Sequence, residues 1–150
     1  MPHRNLRLVL VALDGLLAVT AIVAAIAVVP HLPQEWLKRG IFPDYTIPAL
    51  ALGVLVGGSA LIATLVAGFW ARAGAVVTVV AAAMVLWFEI IEIATCGVAV
   101  IEWGPGYAAG WLQVFYIVLG LVLAVLGTRL WLIEGGRIPI IGPKPAAPAR

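Results

Sequence analysis

Three acidic residues, Asp14, Glu89 and Glu92, fall inside long apolar stretches. If those stretches cross a bilayer, each ionisable group costs about 2.5–3.5 kcal/mol on insertion scales, so each requires a partner or a use. On a helix turning 100° per residue, Thr78, Val85, Glu89, Glu92 and Cys96 share one face within an arc of about 80°, and Trp87 points away from it. Two carboxyl groups one turn apart in hydrocarbon cannot comfortably both be ionised. One or both are therefore expected to be protonated at neutral pH and able to donate a hydrogen bond. Counting inward from the helix ends puts Glu92 level with Thr20 and Glu89 level with Ser59, with no basic residue at that depth. The candidate intramembrane polar site is thus Glu89, Glu92, Ser59 and Thr20. Such a layer could handle a proton or a cation, or anchor a ligand. It could equally be a neutral hydrogen-bonded layer fixing helix register, or meet a basic residue on a partner subunit.

Asp14 lies about 9 Å into the first apolar run and Arg129 about 6 Å into the last, at 1.5 Å per residue. The first and last helices of a closed bundle are neighbours, so an Asp14–Arg129 ion pair clamping them together is expected. The alternative is that each side chain snorkels separately to water. Other chemistry finds little footing. His3 and His31 lie outside the apolar runs, so haem or chlorophyll has no obvious ligand in a bundle. The Glu89-x-x-Glu92 spacing has no Glu-x-x-His counterpart, which argues against a di-iron site. There is no nucleophile elbow, P-loop or dinucleotide fingerprint, and the single Cys96 has no histidine partner. No metal site, no cofactor and no enzyme activity are expected.

The elements that must position these residues follow from composition. The chain has 150 residues, 64% of them apolar and 11% charged, with a mean hydropathy of +1.15. A soluble domain carries roughly 25% charge, so lipid is the expected solvent. Four apolar runs, 8–29, 47–70, 75–101 and 111–133, are each long enough to cross a hydrocarbon layer of ~30 Å as a helix. Tight turns at 71–74 and 102–110 force neighbours to be antiparallel. The fold class expected is therefore an all-α membrane protein, an up-down-up-down four-helix transmembrane bundle.

Seven of the nine basic residues (Arg4, Arg7, Arg72, Arg129, Arg137, Lys144 and Arg150) fall on one side, against Lys38 and Arg39 on the other. The positive-inside rule puts both termini and the 71–74 turn in the cytoplasm, and it accounts for the net charge of +2 without nucleic acid. Five of the six tryptophans lie at run boundaries, as an interfacial belt requires. The run 8–29 imitates a signal peptide but is longer than a normal apolar core segment, and it is read as an uncleaved first helix. Between the first two runs, Pro33, Glu35, Lys38, Arg39 and Gly40 carry start and stop signals for a short interfacial helix at 33–39. Asp44 or Thr46 then caps the second helix. The tail 134–150, with Pro139, Pro143, Pro145 and Pro148, reads as an irregular cytoplasmic extension. Small residues (Gly53-x3-Gly57, then Ala18, Ala21 and Ala25, then Gly120, Ala124 and Gly127) permit close helix approach, within one bundle or between two copies.

Two stretches carry a resemblance: Phe42-Pro43-Asp44-Tyr45-Thr46-Ile47-Pro48 entering the second helix, and Trp111-Leu112-Gln113-Val114-Phe115-Tyr116 with Gly120 entering the fourth. With the four-span layout, they resemble small uncharacterised bacterial integral membrane proteins to which no activity is assigned. The resemblance implies the fold and a place in the bacterial cytoplasmic membrane, and adds no catalytic residue. The functions in view are a non-enzymatic accessory or scaffolding subunit acting by helix packing, alone as a homo-oligomer or in a larger membrane complex, and, as the alternative, a small proton- or cation-coupled transporter or channel using Glu89 and Glu92.

Overall fold

The computed structural model describes residues 2–32, 42–96 and 108–135. The interfacial helix expected at 33–39, the loop ahead of the fourth helix and the tail beyond 135 lie outside the described residues. Among these, all regular structure is helical. Four helices are long and apolar enough to cross a membrane, which makes this a multi-pass membrane protein. Helix α1, Pro2–Val23, runs on through a π-helical stretch, Ala24–Val28, and a 3-10 turn, Val29–His31. Helix α2, Thr46–Phe69, contains a second π-helical stretch at Ala51–Gly57. Helices α3, Ala71–Cys96, and α4, Ala108–Ile133, are regular.

Packing joins α1 to α2, α2 to α3, α3 to α4 and α4 back to α1, with only slight diagonal contact between α1 and α3. This is the expected closed antiparallel ring. The bundle's surface is apolar where a soluble protein's would be polar: Val9, Leu16, Val19, Val23 and Ile26 of α1 are all exposed. The opposite stripe of α1 (Leu10, Asp14, Leu17, Ala18, Ala21) is buried, at the 3–4-residue spacing of a helix face.

The ends differ from the expected limits for local reasons. α1 begins at Pro2, because the polar residues His3, Arg4 and Asn5 continue the helix past the apolar run as exposed positions. The turn between α2 and α3 is a single residue, not 71–74: Trp70 is extended (φ −130°, ψ 107°), and Ala71 already starts α3. Gly74 does not serve as a turn residue; it serves close approach, since a Cβ there would collide with the Ala67 backbone of α2. Asp44 does cap α2, accepting the Thr46 amide at 2.9 Å. At the far end of α4, Gly135 takes φ +80° as the chain leaves the helix, and its amide donates to Leu132 O.

The small-residue stripes are spent inside the bundle. A Cβ on Gly53 would lie 3.0 Å from Ala25 Cβ, and one on Gly57 only 2.7 Å from Ile22 Cγ1. Gly120 sits against Val85 and Leu86, and Gly127 against Val79 and the Ala75 carbonyl. Without bulky side chains at these points the backbones approach closely, and dispersion contacts hold the helices in lipid. At the end bearing Arg4, Arg72 and Arg129, hereafter the basic end, Arg7 of α1 reaches across to α2. Its Nε donates to Ala67 O at 2.7 Å and its Nη2 donates to Gly68 O. Those carbonyls belong to the last turn of a helix and lack intrahelical partners, so a cation there satisfies both hydrogen bonding and dipole.

Candidate functional site

Two polar sets occupy the interior at different depths. Toward the basic end, Asp14 is fully buried and its Oδ2 accepts a 2.6 Å hydrogen bond from the Thr78 hydroxyl of α3. This bond crosses the diagonal of the bundle, where side chains must do what backbone approach cannot. Asp14 Oδ1 has no hydrogen-bond partner. The expected Asp14–Arg129 pair is not formed. Asp14 sits on the stripe facing the bundle axis, while Arg129 lies on the exposed side of α4, next to the buried Leu130 that takes the inward position.

In the other half, Glu89 is 1% exposed and Glu92 is half-buried, both on the inward face of α3 with Thr78 and Val85. The helical-face reading of these four residues holds; the Cys96 side chain lies outside what is described. Their companions are different from those expected. Thr20 donates to Leu16 O at 2.7 Å and Ser59 to Val56 O at 3.0 Å, so each hydroxyl is satisfied by its own helix. Ser59 does not line the cavity described below, and Thr20 approaches the site only as a polar neighbour of the Tyr116 hydroxyl. The residues that complete the site come from α4: Gln113, whose amide faces Glu92, and Tyr116, whose hydroxyl has Glu89 nearby. Gln113, Tyr116 and Gly120 are spaced i, i+3 and i+7, the signature of one helix face. That periodicity was the available signal, and attention to carboxylates alone passes over it.

These groups line a cavity of about 280 Å³. Its remaining walls are largely apolar, from Val28 and Val29 at the end of α1, Leu52 and Val56 in the π-helical part of α2, and Phe88 of α3, with Tyr45 ahead of α2 adding one further polar side chain. Three buried polar atoms of the residues lining it have no hydrogen-bond partner among the described residues: Glu89 Oε2, Gln113 Oε1 and Tyr116 Oη. Leaving such atoms unpaired costs about 1–3 kcal/mol each, so a wall carrying three is built at a real expense. No basic side chain lines the cavity among the described residues.

The cavity faces the side of the bundle as well. Leu55 of α2 and Met84, Trp87 and Ile91 of α3 all line it, yet are 58%, 41%, 62% and 37% exposed. They form the two lips of a cleft between α2 and α3. The contacts between these helices are dense along Gly58–Phe69 and thin along Ala51–Gly57, which packs on α1 instead. Trp87 thus faces outward as its helical position requires, while also standing at the cleft. No three His, Cys, Asp or Glu side chains converge as a metal site among the described residues. The arrangement defines a multi-pass membrane protein with a side-opening, acid-lined cavity. No family model, curated protein or solved structure matches the chain.

Proposed function

We propose that this protein is a non-enzymatic membrane protein that binds a lipophilic small molecule in the cavity between α2 and α3. The observation carrying this reading is the set of three unpartnered polar atoms, Glu89 Oε2, Gln113 Oε1 and Tyr116 Oη, on the wall of a cavity of about 280 Å³. Ligand sites combine apolar walls with a few convergent polar groups, and a neutral register-fixing layer would instead satisfy its own hydrogen bonds. The reading develops the intramembrane site at Glu89 and Glu92, and it draws no support from helix packing between copies, since Gly53, Gly57, Gly120 and Gly127 are all occupied within one chain. The excess of Arg and Lys at the basic end supports a cytoplasmic location for that end in a bacterial inner membrane. The cavity then lies in the outer-leaflet half, open to lipid.

Native mass spectrometry of the protein released from nanodiscs tests this. The wild type is expected to carry a retained lipophile, and Ala51→Phe, which places a ring into the cavity wall, is expected to lose it while staying folded. Identical adduct patterns for the two proteins would overturn the proposal.

A further inference from the structure

The chemistry of the polar wall says what kind of head group the cavity takes. Resting on the proposed binding role, we infer that the ligand is a lipophilic primary amine, with its nitrogen at the cavity wall formed by Glu89, Gln113 and Tyr116 and its apolar part leaving between α2 and α3.

Glu89 and Gln113, residues 1% and 5% exposed, both line the cavity, and each holds a buried oxygen unpaired among the described residues. The Tyr116 hydroxyl, at 2% exposure, can accept as well as donate. Glu89 Oε2 and Gln113 Oε1 both call for donors, and an ammonium group has three N–H bonds and no acceptor. A hydroxyl has one donor; it can accept from the Tyr116 O–H, but it leaves one of the two carbonyl-type oxygens unmet. Charge points the same way. No Lys, Arg or His lines the cavity among the described residues, so a phosphate or carboxylate head group would find no cation to pair with. An amine can instead accept the Glu89 proton and pair with the carboxylate that results.

The proton balance is simple. With the Glu89 carboxyl written in its neutral form, no charge has to be carried into hydrocarbon. A neutral amine arriving through the lipid takes that proton: the carboxyl O–H bond breaks, an N–H bond forms, and the product is an ammonium–carboxylate pair with no net charge carried in. The pair forms where each member can be hydrogen-bonded, the condition under which a buried ion pair is tolerated. The apolar remainder of the ligand then meets Leu55, Met84, Trp87 and Phe88.

Trp87 at the cleft provides the readout, because a bromoaryl group quenches tryptophan fluorescence at contact. The probes are 4-(4-bromophenyl)butylamine and 4-(4-bromophenyl)butan-1-ol, matched in skeleton, titrated into the full-length protein in nanodiscs, with Trp87→Phe isolating the signal. The amine is expected to quench saturably at a concentration at least tenfold below the alcohol. Glu89→Gln is expected to bring the amine down to the level of the alcohol, and Glu92→Gln, a second variant should Glu89→Gln not fold, to narrow the gap between them. Equal quenching by amine and alcohol, or an amine preference that survives both substitutions, would overturn the inference while leaving the binding role in place. Saturable quenching by the alcohol alone would do the same. If neither probe gives a saturable signal dependent on Trp87, the binding role itself fails.

Discussion

The two halves of the bundle solve the same problem, polar groups in lipid, in opposite ways. Toward the basic end, α2 and α3 meet so closely that Gly74 lies against the Ala67 backbone, Thr78 donates to Asp14 across the diagonal, and Arg7 caps the last carbonyls of α2. In the other half, both π-helical stretches fall together, Ala24–Val28 and Ala51–Gly57, and the wall beside them carries three unpaired polar atoms. A π-helical stretch inserts a residue into the helical ladder and is common at functional sites. The second one coincides with the stretch where α2 contacts α3 thinly, and the cleft lies there. Among the described residues the first half leaves one buried oxygen unpaired, Asp14 Oδ1, and the other leaves three, all on residues that line the cavity.

The sharpest way to break this contrast is at the closed half's tightest point. Gly74→Leu forces a side chain into the Ala67 backbone, where no rotamer relieves the clash. Overpacking costs about 1–3 kcal/mol even where side chains can adjust, and more where two helices must part. The variant is expected to yield no monodisperse folded protein on size exclusion, whereas Gly58→Leu, at a position with nothing within 4 Å, should melt like the wild type.

Thr78→Val comes next. It removes the one hydroxyl that satisfies Asp14 and leaves a fully buried carboxyl with neither oxygen paired. The expected destabilisation is about 1–3 kcal/mol, read as a lowered thermal midpoint in detergent. Arg129→Gln should leave that midpoint unchanged, because Asp14 takes its hydrogen bond from Thr78. A drop as large as that of Thr78→Val would restore the ion pair. Arg7→Met follows at about 1 kcal/mol, with faster amide exchange confined to the last turn of α2, where the Ala67 and Gly68 carbonyls lose their donor.

How much of this the sequence disclosed depended on whether one residue's surroundings came from its own helix. Span number, antiparallel order and the inward face holding Thr78, Val85 and Glu89 follow from hydropathy and the 3.6-residue period alone. Asp14's partner did not follow, because counting depth along helices says nothing about rotation about their axes. Arg129 has a suitable depth and an unsuitable azimuth. Ser59 and Thr20 looked available at the level of the glutamates, but a hydroxyl on a helix can always satisfy itself on the preceding turn, as both do. The cleft was least legible. It coincides with the two π-helical stretches, for which no residue in Ala24–Val28 or Ala51–Gly57 gives a local signal.

The smallest expected effect is the one that separates the two halves most cleanly. Tyr116→Phe and Thr78→Val each delete a single buried hydroxyl from neighbouring helices, so they differ chiefly in which half they probe. Among the described residues the Tyr116 hydroxyl makes no hydrogen bond of ordinary geometry, with Thr20 its polar neighbour, and its removal spares the cavity wall an unpaired group. Deleting an unsatisfied polar atom while keeping the ring is neutral or slightly favourable, in contrast to orphaning its partner. In detergent, without added amine, the Tyr116→Phe midpoint is therefore expected to match or slightly exceed that of the wild type. A loss comparable to that of Thr78→Val would mean that Tyr116 is bound into the bundle's own hydrogen bonding, and the half described as open would be as self-sufficient as the closed one.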